Sequence, residues 1–198
     1  SIFPTPVIGG IGVLNNLKKI MNIKTKRPGN LIMVIGKTFG HLNQSAFLQE
    51  NFSICDGPPP EINLINEKNN GLAILELIKE NFILSAHDIS SGGILLSLTE
   101  MSMASKLGLK IYKPKKLINP LEYFFGEDQG RYLVEIEKNN LNKINNFLKK
   151  NNIFGETVAE VQNDTFEIEK TFSFNIQEFC NYNNQWYYKY NAIGKKQT

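Results

Sequence analysis

The segment richest in residues that could do chemistry spans residues 86–93 and reads Ala-His-Asp-Ile-Ser-Ser-Gly-Gly. It predicts the end of a strand, a polar turn and the start of a helix. Free backbone N–H groups at a helix start attract anions, and small residues let a ligand come close. Asp88 could hold a metal ion or a ribose hydroxyl. Alternatively, Ser90 or Ser91 caps the helix and Asp88 braces the turn. We expect residues 90–93 to form the best anion site of the chain.

A second polar turn, residues 126–131, places Glu127, Asp128 and Gln129 between two glycines and just before an apolar segment. Glycines permit turn conformations that project such side chains together. A pair of carboxylates can do acid–base work or bind Mg²⁺. The alternative is a solvated turn in which Glu127 or Asp128 pairs with Arg131.

The third candidate is residues 36–45, which read Gly-Lys-Thr-Phe-Gly-His-Leu-Asn-Gln-Ser. Its glycines flank a strand-to-helix turn, and such a turn can cradle phosphate. The first three residues resemble the end of a Walker A loop, but Leu31 stands where that motif needs its earlier glycine. His41 is of a type that is more often structural than catalytic.

The apolar pattern predicts the elements that must position these turns. Strands are expected at residues 31–35, 82–86, 109–112, 131–136, 153–161 and 165–168. Helices are expected at residues 41–50, 62–78, 90–106, 120–125 and 141–150. A C-terminal helix is expected to dock through Ile176, Phe179, Trp186 and Tyr190. This alternation, with two hairpin-like strand pairs near the end, predicts an α/β or α+β fold with a single mixed or antiparallel sheet covered by helices.

Residues 1–26 differ from the rest, because Pro4 and Pro6 and the following glycines favour an extended arm. We expect the domain itself at 27–170 and a helical tail at 171–198. If the arm belongs to a preceding domain, its apolar residues lack cover, and it should be mobile or pair with a second copy as a homodimer. These residues are Ile2, Phe3, Val7, Ile8, Ile11 and Val13.

Composition excludes several classes of protein. The chain has 198 residues, 41% of them hydrophobic, and a net charge of +3 from scattered lysines, which does not indicate nucleic acid as a partner. No run of 18 apolar residues predicts a membrane span, and the first six residues do not resemble a signal peptide. Two distant cysteines and two histidines predict neither a zinc site nor a disulfide framework. We therefore expect a cytoplasmic protein.

Taken together and in chain order, the turns at residues 36–45, 86–93 and 126–131 resemble the C-terminal part of the phosphoribosylformylglycinamidine synthases. The matching signatures are Gly40-His41-Leu42 with Ser45, His87-Asp88 with Ser90 and Gly92-Gly93, and Phe125-Gly126-Glu127-Asp128-Gln129 with Arg131. Residues 4–10 resemble the junction between the family's second N-type and second C-type domains, and the tail with Trp186 is also similar. The Gly-Glu-Asp-Gln element is the most specific, because it separates this family from aminoimidazole ribonucleotide synthetase, selenophosphate synthetase and thiamine-phosphate kinase.

The resemblance implies a fold like the C-terminal domain of aminoimidazole ribonucleotide synthetase. It also implies an enzyme that uses ATP, Mg²⁺ and ammonia from glutamine to convert formylglycinamide ribonucleotide to the amidine in purine biosynthesis. The implied partners are the rest of the synthase chain, a glutaminase and small accessory subunits. The family's catalytic histidine and main ATP and Mg²⁺ ligands precede the Pro-Thr-Pro segment. We therefore expect this chain alone to be inactive, without catalytic residues or a tightly bound cofactor.

The chain resembles the second of two C-type copies, which in some members borders a structural nucleotide site. By analogy, the candidate nucleotide- or phosphate-binding residues are Gly40, Ser45, Asp88, Ser90, Ser91, Gly92, Gly93, Glu127, Asp128 and Gln129. No metal ligand is assigned, since Ser91 stands where the family often has Asp. Asn43 stands where the family often has Gly. The alternative is a self-standing module of the same fold that binds a nucleotide or a partner subunit without chemistry.

Overall fold

A single mixed sheet of seven strands forms the centre of the domain, in the order β2-β4-β1-β5-β3-β6-β7. The computed structural model describes residues 7–14, 16–114 and 118–194. The strands are β1 (Leu31–Ile35), β2 (Ser85–Asp88), β3 (Leu109–Ile111), β4 (Tyr132–Ile136), β5 (Gly155–Val161), β6 (Thr165–Ile168) and β7 (Phe172–Asn175). All neighbouring strands are antiparallel except β3 and β6. The expected fold class is thereby confirmed.

Helices cover both faces of the sheet. They are α1 (Ala46–Phe52), α2 (Leu64–Lys79), α3 (Gly93–Ser105), α4 (Pro120–Phe125), α5 (Leu141–Lys150) and α6 (Ile176–Gly194). One core cluster joins the sheet to α3, α4 and the start of α6, and the other joins it to α2 and α5. The five residues of β1 alternate between these clusters and are all buried, because β1 lies in the interior of the sheet. No helix in the described ranges is long and apolar enough to cross a membrane.

The expected pairing near the C-terminus is wrong. Among the predicted strands that the structure describes, β5 and β6 do not form a hairpin, because β3 lies between them and pairs with both. β6 forms a hairpin with β7 instead. β7 itself was not anticipated, since half of its residues are exposed and its apolar pattern is short. The first helix begins at Ala46 and not at His41, because Ser45 caps it by accepting the Leu48 N–H at 3.3 Å.

The C-terminal helix docks only at its beginning. Ile176 and Cys180 are buried in the core cluster, and Phe179 packs against it. In contrast, Trp186 is 60% exposed and Tyr190 is 70% exposed. The expectation that these last two residues dock is wrong for the described structure, since α6 extends past the edge of the core.

The end of the N-terminal arm is fastened to the domain by Glu135. This carboxylate on β4 has no exposed surface, and it accepts the N–H of Lys26 at 2.9 and 3.0 Å and that of Arg27 at 3.4 Å. It also accepts from Asn30 Nδ2 at 2.7 Å and Ser85 Oγ at 3.1 Å. Four neutral groups thus satisfy a buried charge, as burial requires.

Towards the N-terminus from this anchor, the apolar side chains of the arm are not covered by the domain. Val7, Ile8, Ile11 and Val13 are each at least 89% exposed. Ile2, Phe3 and the two prolines lie outside the described residues. The exposed apolar residues are those expected of an arm that belongs with another domain, and its mobility or pairing stays a prediction.

Glu135→Ala is expected to lower the free energy of unfolding by about 3 kcal/mol, because it leaves buried donors without an acceptor. Glu135→Gln retains one acceptor oxygen, and its amide can donate to Ser85, so we expect less than half of that loss. Urea unfolding measures both. Glu137→Ala, which removes a surface partner of Arg27, is the control and should cost under about 1 kcal/mol. Equal losses for the two alanine variants would contradict the anchor.

Candidate functional site

The three turns singled out in the sequence meet at one edge of the sheet. Because β1 and β2 both run antiparallel to β4, their carboxyl ends lie beside the beginning of β4. A Cβ added to Gly126 would lie 2.8 Å from the Cα of Gly40, and one added to Gly93 would lie 2.7 Å from the Gly126 carbonyl oxygen. Real Cβ atoms do not approach so closely, so the glycines allow the backbones of the three turns to touch.

Glu127 links the second turn to the other two. Its Oε1 accepts the N–H of Ala46, the first residue of α1, and that of Gly92, the residue before α3, each at 2.8 Å. Negative charge is favoured at both positions, because the N–H groups at a helix start lack partners within the helix. Glu127 therefore acts as an internal anion at two helix starts.

Asp128 fills the turn that the sequence predicted to cradle phosphate. Its Oδ2 accepts the N–H of Phe39 and of Gly40 at 2.9 Å each, and its Oδ1 accepts that of His41 at 3.3 Å. Successive N–H groups of this kind form an anion-binding concavity. Here the anion is the protein's own carboxylate, which is 7% exposed. The Gly40 N–H is thus engaged within the protein, and Ser45 is buried as the cap of α1. The phosphate-binding role predicted for these two residues stays a prediction.

Arg131 is the buried basic residue of the cluster that also contains Glu127 and Asp128. Its side chain has no exposed surface, and its Nη1 lies 3.7 Å from Asp128 Oδ2. The guanidinium donates to the Asp128 carbonyl at 3.0 Å, to Thr38 Oγ1 at 3.1 Å and to the Gly126 carbonyl at 2.7 Å. Burial lowers the pKa of Arg131, and the Asp128 carboxylate opposes that shift. The second turn therefore contains the carboxylate–arginine pair of the structural alternative, but the pair is buried and not solvated.

The predicted anion site at residues 90–93 is altered by these contacts. Gly92 donates its N–H to Glu127, Gly93 donates to the Ser90 carbonyl at 3.1 Å, and both glycines are buried. These two amides are thus already occupied. The anion site itself stays a prediction. The alternative in which Ser90 or Ser91 caps the helix is wrong, because Gly92 is the N-cap of α3, with φ +77°, and no side chain caps it. Ser90 and Ser91 remain exposed to solvent.

A shallow cleft remains where the exposed candidates meet. It has a volume of about 290 Å³ and includes Asp88, Ser90, Ser91 and Gln129 in its lining. The Asp88 side chain is 71% exposed, with Oδ1 3.3 Å from His87 Nδ1. Gln129 also lines a larger polar cleft of about 720 Å³ between the turn at residues 36–45 and α2. The polar groups facing solvent here suit hydrogen bonding to a ligand, whereas Glu127 and Asp128 hold the turns together.

The sequence profile of the AIR synthase related protein, C-terminal domain, matches residues 27–169. The chain belongs to this family. It is 42% identical over 189 residues, 96% of its length, to phosphoribosylformylglycinamidine synthase subunit PurL of Pelagibacter ubique, of which it covers 26%. It is thus homologous to the C-terminal part of PurL and spans about a quarter of the curated relatives' length.

Two solved structures share the fold. Thermotoga maritima PurL complexed with ATP matches with a TM-score of 0.66 and 21% identity, over 83% of this chain and 28% of that one. PurLQS from the same organism matches with a TM-score of 0.63 and 23% identity, over 81% and 27%. The expected fold of an AIR synthase related C-terminal domain is therefore confirmed.

Two further polar residues of this AIR synthase related domain were missed by sequence reasoning. Glu100 on α3 lies 2.8 Å from His87 Nε2, so the His87 ring joins β2 to α3. Thr38 supports Arg131. The signal for either was weak, because each partner is distant in sequence. Throughout the described ranges, no group of three or more His, Cys, Asp and Glu side chains could hold a metal ion.

Asp128→Asn is expected to lower the free energy of unfolding by about 3 kcal/mol, because it places an NH₂ group against backbone donors and removes the counter-charge of Arg131. Glu127→Gln is the matched control. It retains the single oxygen that serves Ala46 and Gly92, so we expect a loss below about 1 kcal/mol. Urea unfolding of both variants measures the difference. Similar losses would show that the two carboxylates do not differ in this way.

Proposed function

We propose that this chain is the C-terminal part of a phosphoribosylformylglycinamidine synthase and acts within that longer polypeptide. In this reaction ATP and ammonia from glutamine convert formylglycinamide ribonucleotide to formylglycinamidine ribonucleotide, a step of purine biosynthesis. The observation that carries the proposal is the 42% identity to the Pelagibacter ubique subunit over 96% of the chain. The order of the three turns along the chain agrees with it.

The contribution of the chain to this reaction is to position other parts of the enzyme. Glu127 and Asp128, the carboxylates suited by type to acid–base work, are engaged with backbone N–H groups. Arg131 is buried against them. The chemistry then depends on residues that precede this segment in the parent enzyme, together with its ATP and Mg²⁺. We infer that the isolated chain is inactive and holds no cofactor tightly.

The partners follow from the same proposal. They are the rest of the synthase chain, a glutaminase that supplies ammonia and a small accessory subunit, as the PurLQS structure supports for the relative. The place of action is the cytoplasm. The homodimer through the arm remains a separate prediction.

A chimera tests the function directly. In it, the C-terminal part of the Pelagibacter ubique subunit is replaced by this chain, and ammonium chloride supplies the ammonia. We expect ATP-dependent formation of the amidine by the chimera, and none by the isolated chain or by the subunit truncated at the junction. Product formation and ADP release are measured together. Amidine formation by the isolated chain would contradict the proposal, as would a folded, ATP-binding chimera without activity.

A second candidate function is a module that binds a nucleotide without chemistry, facing the small cleft. The specific observation in its favour is the exposure of Asp88, Ser90, Ser91 and Gln129 around that cleft. In the parent enzyme the same residues would face the structural nucleotide site. The α3 dipole favours an anion there, while Asp88 and the Glu127 carboxylate, which also line the cleft, repel it.

Titration of the isolated chain with ADP is expected to give binding on the order of millimolar, with amide NMR shifts at residues 88–91 and 129. Ser90→Glu should weaken it at least about fivefold by adding negative charge at the cleft. Gln177→Glu, an exposed change on α6, is the control. Gly92→Val is unsuitable, because a Cβ there would lie 2.6 Å from the Leu96 side chain. Shifts confined to other residues would refute the assignment.

A further inference from the structure

Helix α2 is apolar on two opposite faces. The inner face packs against the sheet and consists of Asn70, Ala73, Ile74 and Leu77. The outer face also carries large apolar side chains, which are 53–74% exposed: Leu64, Ile65, Leu72 and Leu75. At 100° per residue these four lie within one arc of the helix, opposite the inner face. A helix that is apolar on both sides is typical of one buried in a larger assembly.

The N-terminal arm comes to the same part of the molecule. Lys19 Nζ donates to the carbonyl of Lys79, the last residue of α2. Met21 packs in the core cluster on the α2 side of the sheet, together with Ile78 and Phe82. Just beyond, Glu135 fixes the backbone of Lys26. The arm therefore runs along the β2 edge of the sheet, where Asn22 accepts the Ala86 N–H and Ile23 packs against the other core cluster. It reaches the carboxyl end of α2 at Lys19.

The segment that precedes the arm identifies the occupant of this surface. The chain matches the last quarter of its curated relatives, so most of such a polypeptide arrives through the arm. The exposed part of α6 lies on the opposite face of the sheet, since α6 and α2 contribute to different core clusters. The outer face of α2 thus lies next to the point where the arm meets Lys79.

We propose that the outer face of α2 is the surface on which the preceding domain of the same polypeptide docks. The partner is an apolar surface, because the four apolar side chains dominate this arc. Lys68 lies among them, and Lys79 is already paired with Glu76 at 3.4 Å. This inference rests on the proposed function, which supplies the longer polypeptide.

Cysteine labelling tests the docking without relying on activity. Leu72→Cys is placed in a Cys55→Ser background, since Cys55 is exposed and Cys180 is buried. Maleimide modification is then timed in the isolated chain and in the chimera described above. We expect the rate in the chimera to be at least about tenfold lower, because docking removes the thiol from solvent. Tyr188→Cys on α6, where the tyrosine is 75% exposed, is the control and should change less than threefold by the same reasoning.

The outcomes separate this inference from the proposed function. Unslowed labelling of Leu72→Cys in an active chimera overturns the docking surface and leaves the function standing. Slowed labelling in an inactive chimera supports the docking and contradicts the function. Labelling in the isolated chain that slows as its concentration rises identifies a second copy as the occupant and overturns the proposal.

A second variant guards against an effect of the cysteine itself. Leu72→Lys with Leu75→Lys should lower the melting temperature of the chimera and leave that of the isolated chain unchanged, because both side chains are exposed there. Equal melting shifts in the two proteins would contradict docking on this face.

Discussion

The sheet edge where the three turns meet depends on the hydrogen bonds and the ion pair of the buried Asp128 carboxylate. Removing a charge from water is costly, and it is tolerated only when hydrogen bonds and a counter-charge replace the water. Asp128 has both, in the backbone N–H groups of residues 39–41 and in Arg131. Arg131 in turn donates to Thr38 and to the Gly126 carbonyl. The turns at residues 36–45 and 126–131 are therefore one electrostatic unit, and Glu127 extends it to the turn at residues 86–93 through Gly92.

This unit shows what residue types alone left open, namely which groups the Glu127 and Asp128 carboxylates bind. Carboxylates next to glycines, and glycines at a helix start, are correct signals for bound anions. Residue types do not show whether the anion is a ligand or a side chain of the same protein. That depends on distances such as the 2.8 Å between Glu127 and Gly92, which only the fold determines. Four of the candidates are exposed and accessible to a ligand, because no described element covers them: Asp88, Ser90, Ser91 and Gln129.

The fold was predictable where burial imposes a clear periodicity on the apolar residues of an element. β1 is a continuous apolar run, β4 alternates between two core clusters, and α5 carries its apolar residues on one side. Prediction failed where long-range pairing decides, as in the insertion of β3 between β5 and β6. It also failed for Glu135, whose partners Lys26 and Ser85 are distant in sequence. An isolated acid inside an apolar strand was the one available signal.

The position of Glu135 has a mechanical consequence. Glu135 on β4 and Arg131, the residue just before β4, are four residues apart, about 13 Å in an extended chain. Glu135 accepts the backbone N–H of Lys26 in the arm, and Arg131 donates to the Asp128 carbonyl in the turns. β4 lies between β2 and β1, so it is hydrogen-bonded on both sides and resists bending. Because the same interior strand joins both attachment points, we expect the end of the arm and the three turns to keep a fixed distance from each other.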